Sequence, residues 1–297
     1  MQNIGFIGLD TSHVTAFAKL LNDPKDEHHV PGGKVTVAYP GGSADFPLSR
    51  DRVQGFTKEL REQWGVRIVD SPEAVAEACD LLFITSVDGR VHREQFERTV
   101  KFKKPTFVDK PFAVTLADAR AMVRRAEEAG VAMMSCSSLR FTDGLQKVLA
   151  SGRDDILGCD AFGPMDEEPT QPGLFWYGCH SVEILVAAMG VGCREVRCVR
   201  TEGHDVMTAI WSDGRAASFH GVRKAHWKFG ITLHRKDKFE FIDHSLSRPC
   251  YVSLVAAILA DLPHNRSAVP AAEMIEAVAI MEAANRSRAE GGKAVAL

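Results

Sequence analysis

The sequence predicts an α/β protein in which an N-terminal, doubly wound parallel sheet of the Rossmann type precedes a C-terminal α+β domain with a largely antiparallel sheet. Two patterns predict this fold class. In the first half of the chain, short apolar runs alternate with segments of helical periodicity, whereas in the second half several strand-like runs follow one another with turn signals between them. We place the boundary so that the domains cover residues 1–137 and 138–297.

The alternation starts at the N-terminus. Residues 3–9 are an apolar run that ends in glycine before Asp10-Thr11-Ser12, the signal of a helix cap after a strand. Residues 12–21 carry an apolar helical face, and residues 81–85 are a continuous apolar run, as in a strand buried on both faces. The other elements predicted in this half are strands at 34–39, 66–69, 106–108 and 131–136, and helices at 51–64, from Ser71-Pro72-Glu73 onward, at 90–101 and at 116–129. Sheets of this kind bind ligands at the carboxyl ends of their strands, so we expect the site there.

The pattern changes from Leu139 onward. Helices are predicted at 143–150 and 179–189, with a strand at 156–162 between them. Strand-like runs then cover 195–201, 206–211, 216–222, 229–234 and 238–242, and helices at 251–261 and 271–288 close the chain. Asp213-Gly214 separates two of these runs and is suited to a hairpin turn with positive φ. Consecutive strands with flanking helices favour an antiparallel sheet.

The composition excludes several classes of protein. Of the 297 residues, 45% are hydrophobic and 25% are charged, and the net charge is −3, so we expect no nucleic acid or membrane surface as a partner. No apolar run approaches the roughly 18 residues of a membrane span. The seven cysteines include no Cys-x-x-Cys pair, which favours reduced core thiols over a disulfide framework or a zinc site. Because a strand stands at the N-terminus in place of a signal peptide, we expect a cytoplasmic protein.

The turn after the first strand is the first candidate site. A dinucleotide-binding fold needs a tight glycine turn here, so that backbone N–H groups at the start of the next helix reach a pyrophosphate. In residues 5–13 the expected G-x-G-x-x-G pattern is degraded, because polar residues replace its last glycine. The alternative interpretation is a plain junction of strand, cap and helix. The candidates for cofactor contact in this turn are Gly8, Asp10, Thr11, Ser12 and His13.

The end of the second predicted strand bears on the choice of cofactor. NAD-binding folds commonly place a carboxylate there for the ribose, but no carboxylate follows Tyr39 until Asp45. Gly41-Gly42-Ser43, together with Arg50, is compatible with a phosphate-binding loop for NADP. A solvent-exposed turn is the alternative. The sequence therefore leaves the cofactor as NAD or NADP.

Polar residues also follow two adjacent buried strands. Thr85 and Ser86 follow the first of them, and Asp109-Lys110-Pro111 follows the second. A lysine at a strand end beside a cleft is suited to donate or accept a proton, and Pro111 restricts the backbone of Lys110 to extended geometry. The alternative is a surface lysine paired with Asp109.

An ordered set of segments resembles a known family. His92 stands on the helix after the buried strand, Asp109-Lys110-Pro111 follows the next strand, and Leu139-Arg140-Phe141 comes after a further helix and strand. This order is similar to that of the Gfo/Idh/MocA oxidoreductases, which include glucose–fructose oxidoreductase and inositol dehydrogenase. Their Glu-Lys-Pro hallmark is varied here to Asp-Lys-Pro. Residues 274–297 also match, so the resemblance covers nearly the whole chain.

The resemblance implies roles for both domains. It makes residues 1–137 an NAD(P)-binding Rossmann domain and residues 138–297 a domain for substrate binding and oligomerisation. It also makes Lys110 catalytic. Besides the turn after the first strand, the cofactor contacts that it implies are Thr85, Ser86, His92, Asp109 and Lys110.

The family's second catalytic element is a histidine on the first long helix of the C-terminal domain, and His180 matches it. The family often has aspartate four residues earlier, where this chain has Trp176. Tyr177 or Glu183 is then left to polarise His180, and Trp176 with Phe175 is a candidate wall for a sugar ring. The expected substrate contacts are Trp176, Tyr177 and His180. Without the resemblance, a histidine bonded locally at a helix start is the alternative.

These features lead to one main hypothesis and two alternatives. The main one is an NAD(P)-dependent oxidoreductase of a sugar, cyclitol or related polyol, in which Lys110, helped by His180, moves the hydroxyl proton. The alternatives are a catalytically silent nucleotide-binding sensor and a lyase or glycosidase that returns the hydride to the substrate. The family also implies homodimers or homotetramers packed through the C-terminal sheet.

The remaining histidines predict no metal site, because no pair of them has i, i+4 spacing on a helix. Lys224, His226 and Lys228 cluster near the start of one strand. They either line the pocket or coat the sheet.

Overall fold

The computed structural model describes residues 1–224, 227–246 and 249–297, with Leu246 described by its backbone alone; His226 lies outside the described residues. The chain forms two compact units. The first comprises Met1–Ala113, Ala117–Cys136 and Tyr251–Ala271, and the second comprises Val114–Leu116, Ser137–Cys250 and Ala272–Leu297. Residues 251–271 return to the first unit, where the Tyr251 ring packs edge-on against Phe17 at 5.5 Å. The roles assigned to 1–137 and 138–297 stay predictions.

The first unit is built on a parallel sheet, as predicted. Its six strands, in a stretch that the structure describes throughout, are β1 (Gln2–Ile7), β2 (Gly33–Tyr39), β3 (Arg67–Ile68), β4 (Leu81–Ile84), β5 (Thr106–Val108) and β6 (Met133–Ser135). They lie in the order β3-β2-β1-β4-β5-β6, and every neighbouring pair is parallel. The order reverses at β1, between β2 and β4, and ligands of such sheets bind at this kind of switch point.

The second unit contains a largely antiparallel sheet, which confirms the α+β prediction. In the described part of the chain its strands are β7 (Ile156–Pro164), β8 (Cys193–Arg200), β9 (His204–Trp211), β10 (Ala216–Val222), β11 (Gly230–Arg235), β12 (Phe239–Asp243) and β13 (Val295–Ala296), in the order β12-β11-β7-β10-β9-β8-β13. β7 and β10 run parallel, and the other neighbours are antiparallel. The predicted hairpin joins β9 and β10, with Gly214 at φ +90°. The sequence did not predict β13, which pairs with β8.

The helices begin and end at local signals. They are α1 (His13–Asn22), α2 (Pro47–Trp64), α3 (Pro72–Ala78), α4 (His92–Thr99), α5 (Leu116–Ala129), α6 (Asp143–Leu149), α7 (Gly178–Met189), α8 (Cys250–Asp261) and α9 (Ala271–Ala289). α2 begins at Pro47 and not at 51, because the fixed φ of proline suits a first helical position. α4 begins at His92 and not at 90, because the Asp88 carboxylate accepts a hydrogen bond from Arg90 N (3.0 Å) and holds a turn there.

The second sheet has one buried face and one open face. α7 is buried on nearly all sides and packs on β7, β10 and β11. Along β9 the buried Met207 and Ala209 alternate with the exposed His204 and Val206, as expected for a sheet covered on one side. The open face also exposes Phe239 of the edge strand β12, whose relative exposure is 76%.

The helices and the cysteines of the described residues bear on two of the inferences drawn from the composition. No helix in the described ranges is both long enough and apolar enough to cross a membrane. All seven cysteines are free thiols, and each is buried except Cys250, which is half-buried. They therefore behave as small core residues.

Candidate active site

The ends of β1, β2 and β4 meet through backbone contacts at Gly8. Its N–H donates to the Tyr39 carbonyl (3.0 Å), and its φ of +93° is one that glycine adopts without strain. A Cβ at this position would lie 2.5 Å from the Cα and N of Ser86, and a Cβ at Gly41 would lie 3.3 Å from the Gly8 Cα. The glycine turn that the sequence predicts in degraded form therefore still brings the backbone of adjacent strand ends into close contact.

Asp10 is held by hydrogen bonds to protein partners on both oxygens. Its side chain is fully buried, Oδ1 accepts a hydrogen bond from Val87 N (2.9 Å), and Oδ2 accepts one from Ser49 Oγ (2.5 Å). Ser49 Oγ in turn accepts a bond from Ser43 N (2.8 Å). Burial raises the pKa of Asp10, although these bonds oppose the shift. Both oxygens thus join the loops after β1, β2 and β4, and the predicted cofactor contact of Asp10 stays a prediction.

Thr11 and Ser12 lead into α1. Thr11 is buried, and its hydroxyl accepts a long hydrogen bond from His13 N (3.4 Å). Ser12 is exposed at the N-cap position and makes no side-chain capping bond. Its hydroxyl is therefore the group at this turn that suits an anionic ligand.

His13 and Asp109 form a close pair within the first unit. His13 Nδ1 lies 2.5 Å from Asp109 Oδ2, and the His13 ring also packs against Tyr251 with 5.0 Å between ring centroids. Burial opposes ionisation of Asp109, but His13 and the charge of Lys110 outweigh it and hold the pKa of Asp109 below its usual value. The sequence placed both residues at the site but did not predict that they pair.

Lys110 follows β5 directly. Its backbone N–H donates to Asp109 Oδ1 (2.8 Å), its peptide bond to Pro111 is cis, and its side chain is half-buried. The ion pair of the Asp109 carboxylate is formed with His13. The alternative of a simple Asp109–Lys110 surface pair therefore does not describe this segment.

Thr85, Ser86 and His92 are buried and face protein partners. Thr85 Oγ1 donates to the Gly8 carbonyl (2.7 Å), and Ser86 Oγ bonds to the Gln95 amide oxygen (3.0 Å). The two ring nitrogens of His92 lie 2.8 Å from the Ser86 carbonyl oxygen and 2.9 Å from that of Pro111. These bonds hold the three side chains in place at the ends of β1 and β4, and the cofactor contacts that the resemblance implies for them stay predictions.

His180 of the second unit is held by a residue that the sequence did not predict. Its Nδ1 lies 2.7 Å from Ser137 Oγ, and its ring packs against Phe229 with 5.2 Å between centroids. Ser137 stands shortly before the Leu139-Arg140-Phe141 motif, and that position is the one signal that pointed to it. His180 is therefore bonded across the unit and not only within its own helix.

The aromatic residues before α7 differ in how far they are buried. Trp176 and Tyr177 are half-buried, and the Tyr177 ring lies 4.9 Å from that of Trp227, which is 61% exposed. Phe175 is buried in the core of the unit, so the predicted sugar-stacking wall of Phe175 and Trp176 is wrong for Phe175.

Glu183 does not take the role of a partner for His180. It is buried, and burial raises its pKa to about 7, with Arg140 opposing the shift and Glu273 adding to it. Arg140 itself is paired with Glu273, which also binds Arg153 at 2.7 Å. The arginine of the Leu139-Arg140-Phe141 motif thus anchors its segment to α9.

No group of three or more His, Cys, Asp or Glu side chains in the described residues is arranged to hold a metal ion. The polar groups of the first unit fit a dinucleotide better. The exposed Ser12 at the start of α1 presents a hydroxyl that is suited to donate to a phosphate.

Comparison with known proteins finds a family model that matches the first part of the chain. Residues 3–136 match the family model described as Gfo/Idh/MocA oxidoreductase family, NAD-binding Rossmann fold. A D-apiose dehydrogenase from Paraburkholderia graminis is 39% identical over 72 residues, which are 24% of this chain and 19% of that protein. The matching segment thus spans less than a fifth of the length of this curated relative.

Solved structures share the fold. A probable dehydrogenase from Thermotoga maritima has a TM-score of 0.79 at 17% identity, with 99% of this chain and 98% of that chain covered. The apo scyllo-inositol dehydrogenase from Lactobacillus casei has a TM-score of 0.78 at 14% identity, with 100% and 98% covered. At these identities the likeness establishes the fold.

Proposed function

We propose that the protein is an NAD(P)-dependent dehydrogenase of a sugar, cyclitol or related polyol, because its residues 3–136 match the Gfo/Idh/MocA oxidoreductase family model with its NAD-binding Rossmann fold. The names of two similar proteins, a D-apiose dehydrogenase and a scyllo-inositol dehydrogenase, support a polyhydroxylated substrate. The half-buried Trp176 and Tyr177 also support it, since aromatic rings pack well against the apolar faces of sugars.

The position of Lys110 is the main support for this proposal. It follows β5 at the carboxyl edge of the parallel sheet, where ligands of this fold bind. Asp109 fixes its backbone through one carboxylate oxygen, while the other oxygen is held by His13. We assign to the Lys110 amine the transfer of the substrate hydroxyl proton, and to His180, oriented by Ser137, a supporting role in the same transfer.

The cofactor would lie against the turn that starts at Gly8 and would be held by the hydroxyls of Thr11 and Ser12 and by His13. When bound, a nicotinamide supplies the acceptor or donor of the hydride. Asp109 orients the His13 ring through Nδ1, and among the described residues Nε2 has no hydrogen-bond partner. A carboxylate behind one ring nitrogen commonly fixes the tautomer and leaves the other nitrogen for a ligand.

One observation favours a second candidate, the nucleotide-binding sensor. The chain has Trp176 where the family often has the aspartate that precedes the catalytic histidine, so a group expected for proton transfer is missing while nucleotide binding does not depend on it. Nucleotide binding without turnover of any polyol would favour the sensor. Turnover without net change in the cofactor would instead favour the lyase or glycosidase.

Substitution of Lys110 tests the proposed dehydrogenase. Sugars and cyclitols are screened with NAD⁺ and NADP⁺ for a change in nicotinamide absorbance, and Lys110→Ala is then compared on the best substrate. We expect turnover to fall by about 10²- to 10⁴-fold, while the Kd of NADH or NADPH, measured by fluorescence, stays within a factor of about three. Lys101→Ala is the matched control, because it also removes one lysine charge but from a residue that precedes β5. Retained activity in Lys110→Ala would contradict the assignment.

We also propose a homodimer or homotetramer that packs through the open face of the second sheet. The exposed Val206, Phe239 and Phe241 support this, because apolar side chains on one sheet face favour association. A cytoplasmic location fits the free thiols. Light scattering of the purified protein and of Phe241→Glu tests the assembly, and a monomeric wild type would contradict it.

A further inference from the structure

The loop after β2 offers no free carboxylate for a ribose hydroxyl. In Rossmann folds an acidic residue near this strand end binds the 2′-hydroxyl of NAD, whereas a nearby cation accommodates the 2′-phosphate of NADP. Here β2 ends at Tyr39, and Asp45 is the first carboxylate that follows. Both Asp45 oxygens accept bonds from Arg90 (2.9 and 3.0 Å), and these bonds lower the pKa of Asp45. The carboxylate is thus already paired with a cation.

A cationic pocket lies beside the same loop. It has a volume of about 300 Å³ and is lined by Pro40, Gly41, Val53, Gln54, Thr57, Lys58 and Arg61. The lining includes two cations and no carboxylate. Lys58 and Arg61 are exposed on α2, and the described part of the chain gives neither of them an ion pair. An anion at this pocket would therefore not have to displace an internal partner.

The pocket adjoins the turn that we assign to the cofactor. Leu9 N–H donates to the Pro40 carbonyl (2.7 Å), so the lining residue Pro40 is bonded directly to the turn after β1. Gly41, at φ +61°, then brings its backbone against Gly8. A nucleotide at the β1 turn would thus lie against the same loop, residues 40 and 41, that lines the pocket of Lys58 and Arg61.

We propose that Lys58 and Arg61 bind the 2′-phosphate of the cofactor and make this protein selective for NADP(H) over NAD(H). A phosphate monoester carries nearly two negative charges, and both side chains form charge-assisted hydrogen bonds to phosphate oxygens. The lining contains no acidic residue. The 2′-phosphate therefore does not meet the repulsion that the carboxylate of an NAD-type site would exert on it. The inference rests on the proposed function, because it assumes that a dinucleotide occupies the β1 turn.

Binding of nucleotide fragments to the full-length protein tests the selectivity without any substrate. Isothermal titration calorimetry compares adenosine 2′,5′-bisphosphate with ADP, and NADPH with NADH. We expect the 2′-phosphorylated member of each pair to bind at least about tenfold more tightly, with the advantage shrinking as salt is added. The variant K58A/R61A should lose this ratio. The variant K34A/R67A removes two exposed cations outside the pocket and should keep it.

The possible outcomes separate a failure of the NADP(H) selectivity from a failure of the proposed dehydrogenase function. Equal binding of NADPH and NADH, or an unchanged ratio in K58A/R61A with a wild-type melting curve, would overturn the selectivity and leave the dehydrogenase proposal intact. Inorganic phosphate that competes as well as the bisphosphate would also overturn it, because the pocket would then be a general anion site. Failure of all four nucleotides to bind would overturn the proposed function as well.

Discussion

Replacing Gly8 with alanine tests whether the first unit depends on backbone contact between the ends of β1 and β4. Gly8 has a φ of +93°, and a Cβ there would lie 2.5 Å from the Cα and N of Ser86. The obstructing atoms include backbone atoms of Ser86, which follows β4, the strand next to β1 in the middle of the strand order. Thr85 N–H donates to the Ile7 carbonyl (2.7 Å) and holds them in place. The added methyl group therefore cannot be accommodated by rotation of a flexible side chain.

The expected loss of stability has two parts. A non-glycine residue at a positive φ costs about 1–3 kcal/mol, and an extra carbon in a closely packed site costs about 1–3 kcal/mol. We therefore expect Gly8→Ala to lower the free energy of unfolding by about 4 kcal/mol. This is a large share of the roughly 5–15 kcal/mol by which native proteins are stable.

Urea unfolding followed by far-ultraviolet circular dichroism measures the change. Gly55→Ala is the matched control, because a Cβ at Gly55 in α2 would meet nothing within 4 Å. We expect this control to raise the free energy of unfolding by about 0.5–1 kcal/mol, since alanine favours the helix. If Gly8→Ala stays within about 1 kcal/mol of the wild type, the strand ends yield easily, and the rigid contact that we describe is refuted.

Three further predictions follow from the contacts of single side chains. Ser137→Ala removes the hydroxyl 2.7 Å from His180 Nδ1, and we expect kcat to fall about tenfold with the cofactor Kd unchanged; an equal loss of cofactor affinity would contradict this. Burial raises the pKa of Glu183 to about 7, above the value of the unfolded chain, so this residue destabilises the fold as pH rises from about 5 to 8. Urea titrations should show Glu183→Gln gaining roughly 2–3 kcal/mol over the wild type across that range, and parallel pH curves would count against it. Asp10→Ala leaves two buried donors without an acceptor and should lower the free energy of unfolding by about 2–4 kcal/mol, which a thermal melt matching that of the wild type would disprove.

The fold was largely predictable because its signals are local. The run at 81–85 predicted a strand buried on both faces, and all four residues of β4 are buried. The strand-like run at 206–211 predicted β9 in the same way, and exposed and buried residues alternate along that strand. The errors fell at element ends such as Pro47 and His92, where a proline or a side-chain bond sets the first helical residue.

The site was predictable only in outline. The sequence indicated which segments contribute, including the turn at Gly8 and the lysine at 110. It gave Asp10 a ligand contact, whereas the structure buries that carboxylate among bonds to Val87 and Ser49. Val87 follows β4, and Ser49 lies on α2. No pattern of neighbouring residues in the sequence indicates that these two segments meet.

The sequence by itself determined the order and type of the elements, the fold class and the lysine that follows β5. Periodicity of apolar residues and turn chemistry are properties of short segments, so they can be read without knowing where the chain returns. The tertiary structure alone decided that His13 pairs with Asp109 and that Ser137 holds His180. Those partners are far apart in the chain, and strand order and side-chain direction bring them together.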